Sequence, residues 1–312
     1  MQPAPVLTVT LNPALDLSAH VSQMIAGPKL RLSDPVTEPG GGGVNVARVI
    51  HGLGGKVCAW VALGGAAGAR LATLLRAQGV AVHVFDAPGD TRSNWAITDD
   101  TGAQYRLQLP GADWPEGLGA AALADIAARA QGLVVLSGSL PPGLPARFPA
   151  ELARTLPPGR LALDTSGAGL EHVVQNPDPT LFLLRMDRAE AEGLAGHALP
   201  DLASAAGFAK SLQGRGVAQW VSVACGAQGN VIAGPEDAVH TCRPPIVPVT
   251  SAVGAGDSFM GALVLALAEG RAMPEALRQG TAAAAAAVMT PASALCRPED
   301  VARLAPQCVL DS

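Results

Sequence analysis

Val249-Thr-Ser-Ala-Val-Gly-Ala-Gly-Asp-Ser-Phe-Met-Gly261 combines a glycine turn with the start of a helical pattern. Gly254, Ala255 and Gly256 are small enough for the backbone to approach an anion closely, and apolar side chains at helical spacing follow. A helix N-terminus after such a turn presents unpaired N–H groups and a partial positive charge, which suits a phosphate. Asp257 is unexpected there, because a carboxylate repels a phosphate unless it takes a proton from an attacking hydroxyl.

Two interpretations of this segment stay open on its own residues. In the first, Gly-Ala-Gly is an ordinary tight turn and Asp257 is an N-terminal helix residue that the helix dipole stabilises. In the second, the turn is an anion hole and Asp257 is a general base. The remainder of the chain is needed to choose between them.

Composition favours one large α/β domain and argues against nucleic-acid binding. Of the 312 residues, 49% are hydrophobic and 15% are charged, so a substantial core is expected. Aromatic residues make up 3%, too few for base-stacking platforms, and the net charge of −5 is unlike that of phosphate-backbone binders. A local cationic pocket for a small anion stays compatible with these values. We expect a single domain spanning residues 1–312 and no nucleic-acid partner.

The cysteines and the apolar segments indicate a cytoplasmic protein. The five cysteines are scattered without C-x-x-C spacing, which favours free thiols in a reducing compartment over a zinc site or a disulfide framework. Residues 1–5 lack a basic segment followed by an apolar run, so we expect no signal peptide. The longest apolar stretch, residues 281–289, is too short to span a bilayer. No membrane partner is therefore expected.

Short apolar segments alternate with helix-like segments along most of the chain. Each apolar segment ends in small or polar residues before a helix begins, which predicts a doubly wound, mostly parallel sheet flanked by helices. In such a fold the loops after the strands share one rim, where ligands bind. Asp16, just after the first strand, would lie on that rim with Asp257. Strands are expected at residues 6–11, 57–63, 80–85, 133–136, 161–163, 181–184 and 219–224.

A second glycine-rich segment, Glu38-Pro-Gly-Gly-Gly-Gly-Val-Asn-Val-Ala-Arg48, leads into a predicted helix. Four consecutive glycines cost backbone entropy on ordering, so a passive linker would seldom need them all. They allow close approach to a ligand, and Asn45 adds a donor and an acceptor one turn into the helix. The segment matches neither the P-loop nor the dinucleotide fingerprint. We expect a binding loop for a different ligand.

Residues 94–98 and 104–109 alternate in polarity on either side of Asp99-Asp-Thr-Gly102, which predicts a β-hairpin. A hairpin that interrupts a β-α-β series often forms a separate small sheet, which here would cover the rim as a lid. With a first hairpin near the N-terminus, the lid would draw on roughly residues 12–38 and 91–110. Arg92 and Arg106 could clamp a phosphate there, although a surface position is the ordinary explanation for either arginine alone.

Taken in order, these motifs resemble those of the ribokinase-like, or PfkB-type, sugar kinases over nearly the whole chain. The resemblance rests on the early glycine loop, on Ser137-Gly-Ser-Leu-Pro-Pro-Gly143 and on Val253-Gly-Ala-Gly-Asp-Ser258. Within the family, the likeness is greatest to the bacterial minor-type 6-phosphofructokinases. The 1-phosphofructokinases and tagatose-6-phosphate kinases typically carry Gly-Lys-Gly where this chain has Gly41-Gly42-Gly43. Further segments similar to the minor-type enzymes are Thr91-Arg-Ser-Asn94, Gln104-Tyr-Arg106 and Pro110-Gly-Ala112.

The resemblance implies ATP-dependent phosphoryl transfer to a sugar phosphate, with fructose 6-phosphate as the leading acceptor. Asp257 would be the general base, and the backbone from Gly254 through Ala255 and Gly256 would form the anion hole. In the family the hairpin regions form a small β-lid that commonly pairs two subunits, which implies a homodimer through the lid. The resemblance assigns the sugar to Asp16, Gly41, Gly42, Gly43, Asn45 and Ser139, and its phosphate to Arg92 and Arg106.

The resemblance also implies a nucleotide site, Mg²⁺ and a monovalent cation such as K⁺, with departures from the family pattern. Where the minor-type enzymes usually carry Lys-Pro-Asn-x-x-Glu, this chain has Arg185-Met-Asp-Arg-Ala-Glu190. Arginine is not equivalent to lysine, and the aspartate replaces an amide, so contacts with ATP are expected to change. Glu190 and Asp187 would hold Mg²⁺ through water, and carbonyls around Ser251 and Val253 would hold the monovalent cation. The implied ATP contacts are Arg185, Asp187, Ala224, Gly226, Gln228 and Gly229.

Three hypotheses on function follow. The leading one is an ATP-dependent 6-phosphofructokinase, and a close alternative is the same chemistry on tagatose 6-phosphate or fructose 1-phosphate. A third, of another class, is a sugar-phosphate-binding sensor with a degenerate ATP site, suggested by the altered residues at 185, 187 and 224 and by the alanine run within 281–293. The intact Gly254–Asp257 segment favours an enzyme, because a sensor has no need of a base at an anion hole.

Overall fold

The computed structural model describes residues 5–291 and 294–311. Two sequence interpretations reach outside this range. The argument against a signal peptide involves residues 1–4, and the end of the alanine run involves residues 292–293. Within the described ranges, no helix combines the length and the apolar character needed to cross a membrane.

The strands of the described residues form two sheets, one of ten strands and one of four. Their bounds in chain order are β1 (Val6–Thr10), β2 (Ala14–Val21), β3 (Val36–Gly40), β4 (Val57–Leu63), β5 (Ala81–Asp86), β6 (Arg92–Asp99), β7 (Gln104–Gln108), β8 (Val134–Ser137), β9 (Leu161–Asp164), β10 (Leu183–Asp187), β11 (Trp220–Ala224), β12 (Asn230–Ala233), β13 (Val239–Arg243) and β14 (Val309–Asp311).

The large sheet has the strand order β14-β13-β12-β11-β10-β9-β8-β1-β4-β5. From β5 to β11 the neighbouring strands are parallel, which confirms the doubly wound, mostly parallel sheet. An antiparallel edge of β12, β13 and β14 was not predicted. The connection from β11 to β12, residues 225–229, is too short for the helical crossover that a parallel pair requires, so the chain turns back as a hairpin.

Helices cover both faces of the large sheet, as the alternating pattern predicts. The strand expected at 181–184 lies at Leu183–Asp187 instead, because its register with β11 runs from Leu183 opposite Trp220 to Asp187 opposite Ala224. The helix bounds are α1 (Gly42–Gly52), α2 (Gly65–Ala77), α3 (Leu118–Arg129), α4 (Phe148–Thr155), α5 (Gly167–Gln175), α6 (Arg188–Ala195), α7 (Leu202–Gly214), α8 (Ala255–Ala268), α9 (Met273–Val288) and α10 (Pro298–Leu304).

The small sheet has the order β3-β2-β6-β7. The hairpin expected around residues 99–102 is present as β6 and β7, and β2 runs parallel to β6. Asp16, expected in the loop after β1, lies within β2, opposite Glu38 of β3 and Asn94 of β6. The chain therefore passes from the large sheet into the small one within a few residues, and this places Asp16 beside the rim.

Close packing between α1 and α8 brings the two glycine-rich segments together. A Cβ on Gly261 of α8 would lie 2.6 Å from Cγ1 of Val49 and 3.2 Å from the carbonyl oxygen of Val46, both on α1. Only glycine allows the helices to approach this closely. Buried Phe259 and Ile50 belong to the core on the same face of the sheet. The first turns of α1 and α8 consequently meet at the rim.

Candidate active site

A cavity of about 490 Å³ lies between the small sheet and the rim of the large sheet. One wall comes from β2, β6 and β7, and the other from the loops after β8 and β9 and from the N-terminal ends of α1 and α8. The fold thus gathers residues that are far apart in sequence. The residues predicted from the sequence that line it are Asp16, Gly41, Gly42, Asn45, Arg92, Arg106, Ser139, Glu190, Val253, Gly254 and Asp257.

Asp257 lies in the first turn of α8 and accepts a hydrogen bond of 2.9 Å from Nδ2 of Asn45. Burial, followed by the negative charge of Asp164, raises the pKa of Asp257 to about 6, although the Asn45 hydrogen bond and the charge of Arg185 act in the opposite direction. A carboxyl group with a pKa slightly below neutral pH is ionised at pH 7 and can accept a proton from a substrate hydroxyl. The position and the pKa both suit a general base.

The N-terminus of α8 can bind an anion. Gly254 caps the helix with a φ of 77°, a left-handed conformation that glycine adopts without strain. The first turn leaves the N–H groups of Ala255, Gly256 and Asp257 without partners within the helix. Gly254 and Asp257 are among the described residues that line the cavity, whereas Ala255 and Gly256 are not. The predicted anion hole would therefore face the cavity at Gly254 and at Asp257.

Arg185 packs against this turn. A Cβ on Gly256 would lie 2.9 Å from Nη2 of Arg185, so the glycine is needed to admit the guanidinium. Nη1 of Arg185 donates to Oδ1 of Asp164 over 3.1 Å, and both side chains are nearly buried. Burial alone disfavours the charged guanidinium, but the carboxylates of Asp164, Glu190 and Asp257 hold the pKa of Arg185 above its ordinary value. The predicted anion hole is thus next to a fixed positive charge.

The glycines of the early loop accommodate groups of the protein itself. A Cβ on Gly42 would collide with Oγ of Ser137 and lie 2.8 Å from the backbone nitrogen of Gly138. A Cβ on Gly43 would lie 2.5 Å from the carbonyl oxygen of Val9, so Gly43 faces β1 and is not among the described residues that line the cavity. These contacts seat the first turn of α1 on the large sheet. Tight packing within the protein therefore accounts for Gly42 and Gly43 of this run.

Asp16 and Asn94 form a polar pair on the wall supplied by the small sheet. Nδ2 of Asn94 donates to Oδ1 of Asp16 over 3.0 Å. Burial raises the pKa of Asp16, while Asn94 and the nearby charge of Arg92 oppose the shift. Within the described residues, the buried Oδ1 of Asn94 has no hydrogen-bond partner. The pair can accept hydrogen bonds from ligand hydroxyls, and the sequence analysis gave Asn94 no role in binding.

The two predicted phosphate-binding arginines differ in their surroundings. Arg92 is half-buried, and its guanidinium donates to the backbone carbonyls of Asn12 and Leu109, each over 3.0 Å. Burial lowers the pKa of Arg92, and the charge of Asp16 opposes this. Arg106, on β7, is exposed. Arg92 therefore presents a fixed charge to the cavity, and Arg106 presents a more adaptable one.

Ser139 is held at the rim by the chain segment after β1. Nδ2 of Asn12 donates to its Oγ over 3.1 Å. Arg92 of β6 donates to the backbone carbonyl of the same Asn12. Asn12 therefore connects the loop after β8 to the small sheet. Ser139 lines the cavity from this position.

The segment predicted to bind the nucleotide after β11 is not among the described residues that line the cavity. Its turn is closed by the N–H of Cys225, which donates to the carbonyl of Gly229 over 2.8 Å. Gln228 accepts a hydrogen bond of 2.6 Å from Arg188 and donates one of 3.1 Å to the carbonyl of Pro200. Gln228 is thus engaged within the protein, and a Cβ on Gly229 would meet the backbone of β13. The other residues of this predicted set are Ala224, which ends β11, and Gly226, which begins the turn.

Asp187 and Glu190 cap helix α6. Oδ1 of Asp187 accepts from the backbone N–H of Glu190, and Oε2 of Glu190 accepts from the backbone N–H of Asp187, each over 2.9 Å. Burial raises the pKa of Glu190, which lines the cavity, while Asp187 is exposed and outside its described lining. Among the described residues, no group of three or more His, Cys, Asp or Glu side chains could hold a metal ion alone. This donor set fits Mg²⁺ bound largely by water and phosphate oxygens.

The predicted site for a monovalent cation lies just before α8. The backbone N–H of Val253 donates to Oγ of Ser251 over 3.2 Å, which forms a local turn. Val253 lines the cavity, and Ser251 is outside its described lining. The carbonyl groups of this turn are the candidate ligands.

Among the residues that line the cavity and to which the sequence analysis gave no role are Asp164, Ser137 and Asn94. Asp164 and Ser137 end β9 and β8, and Asn94 lies on β6. Their position at the C-terminal ends of predicted strands was the available signal for the first two. Together with the predicted residues, they assemble a base, an anion-binding helix end, a buried guanidinium and several groups that can bind hydroxyls. Such an arrangement can transfer a phosphoryl group to a hydroxyl.

A family model for the pfkB family carbohydrate kinases matches residues 10–300. The chain belongs to this family. Members of this family are carbohydrate kinases. A predicted base beside a predicted anion hole is the arrangement that such a pfkB kinase needs.

Named relatives of this pfkB kinase divide between two activities. It is 36% identical over 305 residues to the ATP-dependent 6-phosphofructokinase isozyme 2 of Mycobacterium tuberculosis, with 96% of this chain and 88% of that protein covered. It is 33% identical over 318 residues to the 1-phosphofructokinase of Xanthomonas campestris, with 98% and 95% covered. The crystal structure of Escherichia coli phosphofructokinase-2 in complex with potassium matches with a TM-score of 0.90 and 32% identity, covering 97% of this chain and 98% of that one. The ribokinase-like fold is thereby confirmed.

Proposed function

We propose that this pfkB kinase transfers the γ-phosphoryl group of ATP to the 1-hydroxyl of fructose 6-phosphate. The observation that carries the choice of acceptor is the fit between Gly42 and Ser137. A side chain at position 42 would collide with Oγ of Ser137 and approach the backbone of Gly138 to 2.8 Å. The lysine that the 1-phosphofructokinases and tagatose-6-phosphate kinases typically carry there would require the end of β8 to move.

The acceptor would bind with its phosphate toward the small sheet. Among the described residues that line the cavity, Arg92 and Arg106 carry the positive charges. A fixed guanidinium and an exposed one together could form charge-assisted hydrogen bonds to a phosphate. The sugar hydroxyls would be bound by Asp16, Gly41, Gly42, Asn45 and Ser139, with Gly43 supporting the loop from β1.

The transfer would proceed at the N-terminus of α8. Asp257 would accept the proton of the 1-hydroxyl as that oxygen bonds to the γ-phosphorus, and the bond from phosphorus to the β,γ-bridging oxygen would break to release ADP. The N–H groups from Gly254 to Asp257 would stabilise the negative charge on the transferring group, and Arg185 would add a fixed positive charge. The small sheet would exclude water from the cavity as a lid.

ATP would extend from the cavity toward Asp187 and the turn after β11, which includes Ala224, Gly226, Gln228 and Gly229. Glu190, with Asp187 nearby, would hold Mg²⁺ through water, and the ion would neutralise phosphate charge. Carbonyls around Ser251 and Val253 would bind K⁺. Support for the potassium site comes from the similar Escherichia coli enzyme, whose structure was determined in complex with potassium.

A homodimer through the small sheet forms part of the proposal, as does a cytoplasmic location. Val36, Leu107 and Leu109 are exposed apolar side chains on or beside this sheet. Exposed apolar side chains favour burial against a second copy. Sedimentation analysis of wild-type protein and of Leu107→Asp would test this, with the variant expected to be monomeric.

One alternative acceptor has specific support. The similarity to a 1-phosphofructokinase favours fructose 1-phosphate, which also carries its phosphate at the end opposite the reacting hydroxyl. The sensor hypothesis would instead be favoured by the engagement of Gln228 with Arg188 and Pro200, which changes what this residue can offer a nucleotide.

Coupled assays of ADP release with fructose 6-phosphate, tagatose 6-phosphate and fructose 1-phosphate test the proposal. We expect the highest kcat/KM with fructose 6-phosphate. A preference for fructose 1-phosphate would establish the alternative acceptor. Sugar-phosphate binding by calorimetry without turnover of any of the three would establish the sensor and overturn the proposed activity.

A further inference from the structure

Arg48 connects the small sheet to the residue that binds Asp257. Arg48 lies one turn after Asn45 on α1, and its Nη1 donates to Oδ1 of Asn45 over 3.2 Å. The same nitrogen donates to the carbonyl of Pro39 over 3.2 Å, and Nη2 pairs with Oε1 of Glu38 over 2.9 Å. Pro39 and Glu38 belong to β3. The Arg48 side chain is 12% exposed, so this connection is largely shielded from solvent.

The orientation of the Asn45 amide decides what Asp257 encounters. An amide has a donor end and an acceptor end, and rotation by half a turn exchanges them. With Nδ2 toward Asp257, Asn45 donates a hydrogen bond to the carboxylate. With Oδ1 toward Asp257, two acceptors would face each other and the carboxylate would lose its donor. Arg48 donates only, so it satisfies Oδ1 and leaves Nδ2 for Asp257.

We propose that Arg48 is a positioning residue that fixes the amide of Asn45 and thereby orients Asp257 for proton abstraction. Glu38 and Pro39 of β3 accept from the terminal nitrogens of the guanidinium, and Gln78 at the end of α2 accepts from its Nε over 2.9 Å. The orientation of the base therefore depends in part on the placement of the small sheet. This inference rests on the proposed function for its kinetic consequences. Arg48 contacts no reacting atom in this scheme and acts through Asn45.

The other groups that face Asp257 differ in sign. Asp164 at the end of β9 and Asp16 on β2 disfavour the ionised carboxylate, whereas Arg185 on β10 favours it. Burial raises the pKa of Asp257, and the Asn45 hydrogen bond lowers it. Loss of an ordered donor would therefore raise this pKa further. Loss of Arg48 also leaves the carboxylate of Glu38 without its partner, and this change of charge raises the pKa of Asp257 in the same direction, so the Asn45→Ala background is needed to separate the two effects.

The test compares Arg48→Met with wild-type protein over a range of pH. Methionine keeps an apolar stem and removes every donor. We expect the acid limb of kcat to move up by about one pH unit, which lowers the rate at pH 6.5 about threefold and leaves the rate at pH 9 within about twofold. KM for the sugar phosphate should rise by no more than about threefold, because Asn45 also binds a sugar hydroxyl in the proposed complex while the phosphate-binding arginines are untouched.

A matched control is Arg70→Met. Nη2 of Arg70 on α2 donates to Oγ1 of Thr37, so this arginine also contacts β3, but it has no bond to Asn45. We expect Arg70→Met to leave the acid limb in place. In an Asn45→Ala background, Arg48→Met should add little to the shift, because the two residues act in one chain of contacts. Equal shifts in both backgrounds would overturn the proposal.

A second variant and a second readout keep the test decisive. If Arg48→Met does not fold, Arg48→Lys keeps the positive charge but loses the forked guanidinium, and a smaller shift in the same direction is expected. Infrared difference spectra against Asp257→Asn report the carboxyl titration without any substrate. If wild-type protein phosphorylates no sugar but the carboxyl pKa rises in Arg48→Met, the proposed function fails and the inference stands. An unmoved carboxyl pKa would refute the inference whatever the activity.

Discussion

Nδ2 of Asn45 lies 2.9 Å from Oδ2 of Asp257, although 212 positions separate the two residues in the chain. Each residue is in the first turn of a helix that follows a glycine-rich segment, and the two helices pack closely at Gly261. A hydroxyl held near Asn45 would therefore be next to both a carboxylate and the anion-binding end of α8. This proximity is the geometric basis of the proposed transfer.

Asp257→Asn should nearly abolish turnover while sugar-phosphate binding persists. Asparagine keeps the size of the side chain but cannot take the proton, so kcat should fall about 10²–10⁴-fold. The measurement is steady-state kinetics together with calorimetric titration of the sugar phosphate. Asp237→Asn, at an exposed position paired with Lys210, is the control and should behave as wild type. Near-normal turnover by Asp257→Asn would remove Asp257 as the base.

The activity should fall on the acid side with a midpoint near the pKa of Asp257. Because burial and Asp164 raise this pKa to about 6, the base is ionised above that pH and protonated below it. The logarithm of kcat/KM should therefore rise with unit slope below about pH 6 and level off above it. Rates with a saturating nucleotide between pH 5 and pH 9 measure this. An acid limb with a midpoint near pH 4 would show that the pKa of Asp257 is not raised.

The same shift makes a prediction about stability. The pKa of Asp257 rises from an ordinary value of 3.8 to about 6 on folding, so the folded protein binds more protons between these values. Its ionisation consequently destabilises the fold progressively as pH rises through that window, with a full cost on the order of 3 kcal/mol. Asp257→Asn lacks this cost and should unfold at higher temperature at pH 8. The gain should shrink toward pH 4; a constant gain would contradict the linkage.

Local patterns predicted much of the fold, because they depend on residues close in sequence. The strand at residues 57–63 was predicted with the bounds that the structure has. Both glycine-to-helix segments were also identified, since each is a continuous stretch. The antiparallel edge was not, because β14 pairs with β13 although helices α8, α9 and α10 lie between these two strands in the chain.

The contacts that complete the site were beyond sequence reasoning. Arg48 had no predicted role and Gln228 was expected to contact ATP, yet Arg48 holds Asn45 and Gln228 bonds to Arg188. Which donor meets which acceptor depends on how α1, β3 and the turn after β11 are placed. Gly42 was expected to serve a ligand, and its close contact with Ser137 required the three-dimensional arrangement of α1 and β8.

Gly42→Ala should impair both activity and stability. The added Cβ would meet Oγ of Ser137 and the backbone of Gly138, so α1 or the end of β8 must shift, at a cost of about 1–3 kcal/mol. Gly52→Ala is a control at the other end of α1, where no described atom lies within 4 Å of the added Cβ. The control should be neutral or slightly stabilising, by about 0.5–1 kcal/mol. Urea unfolding measures both; equal effects would show that the contact at Gly42 is unimportant.

Arg92→Ala and Arg106→Ala should both raise KM for the sugar phosphate, and for different reasons. Arg106 is exposed, so its loss should remove phosphate affinity alone, with a rise in KM on the order of tenfold and little change in kcat. Arg92 also bonds to the carbonyls of Asn12 and Leu109, so its loss should loosen the small sheet and lower kcat as well. Unphosphorylated fructose serves as the control acceptor: its weak turnover should be insensitive to Arg106→Ala, because no phosphate is present to bind. An unchanged KM for the phosphorylated sugar in both variants would move the phosphate site away from the small sheet.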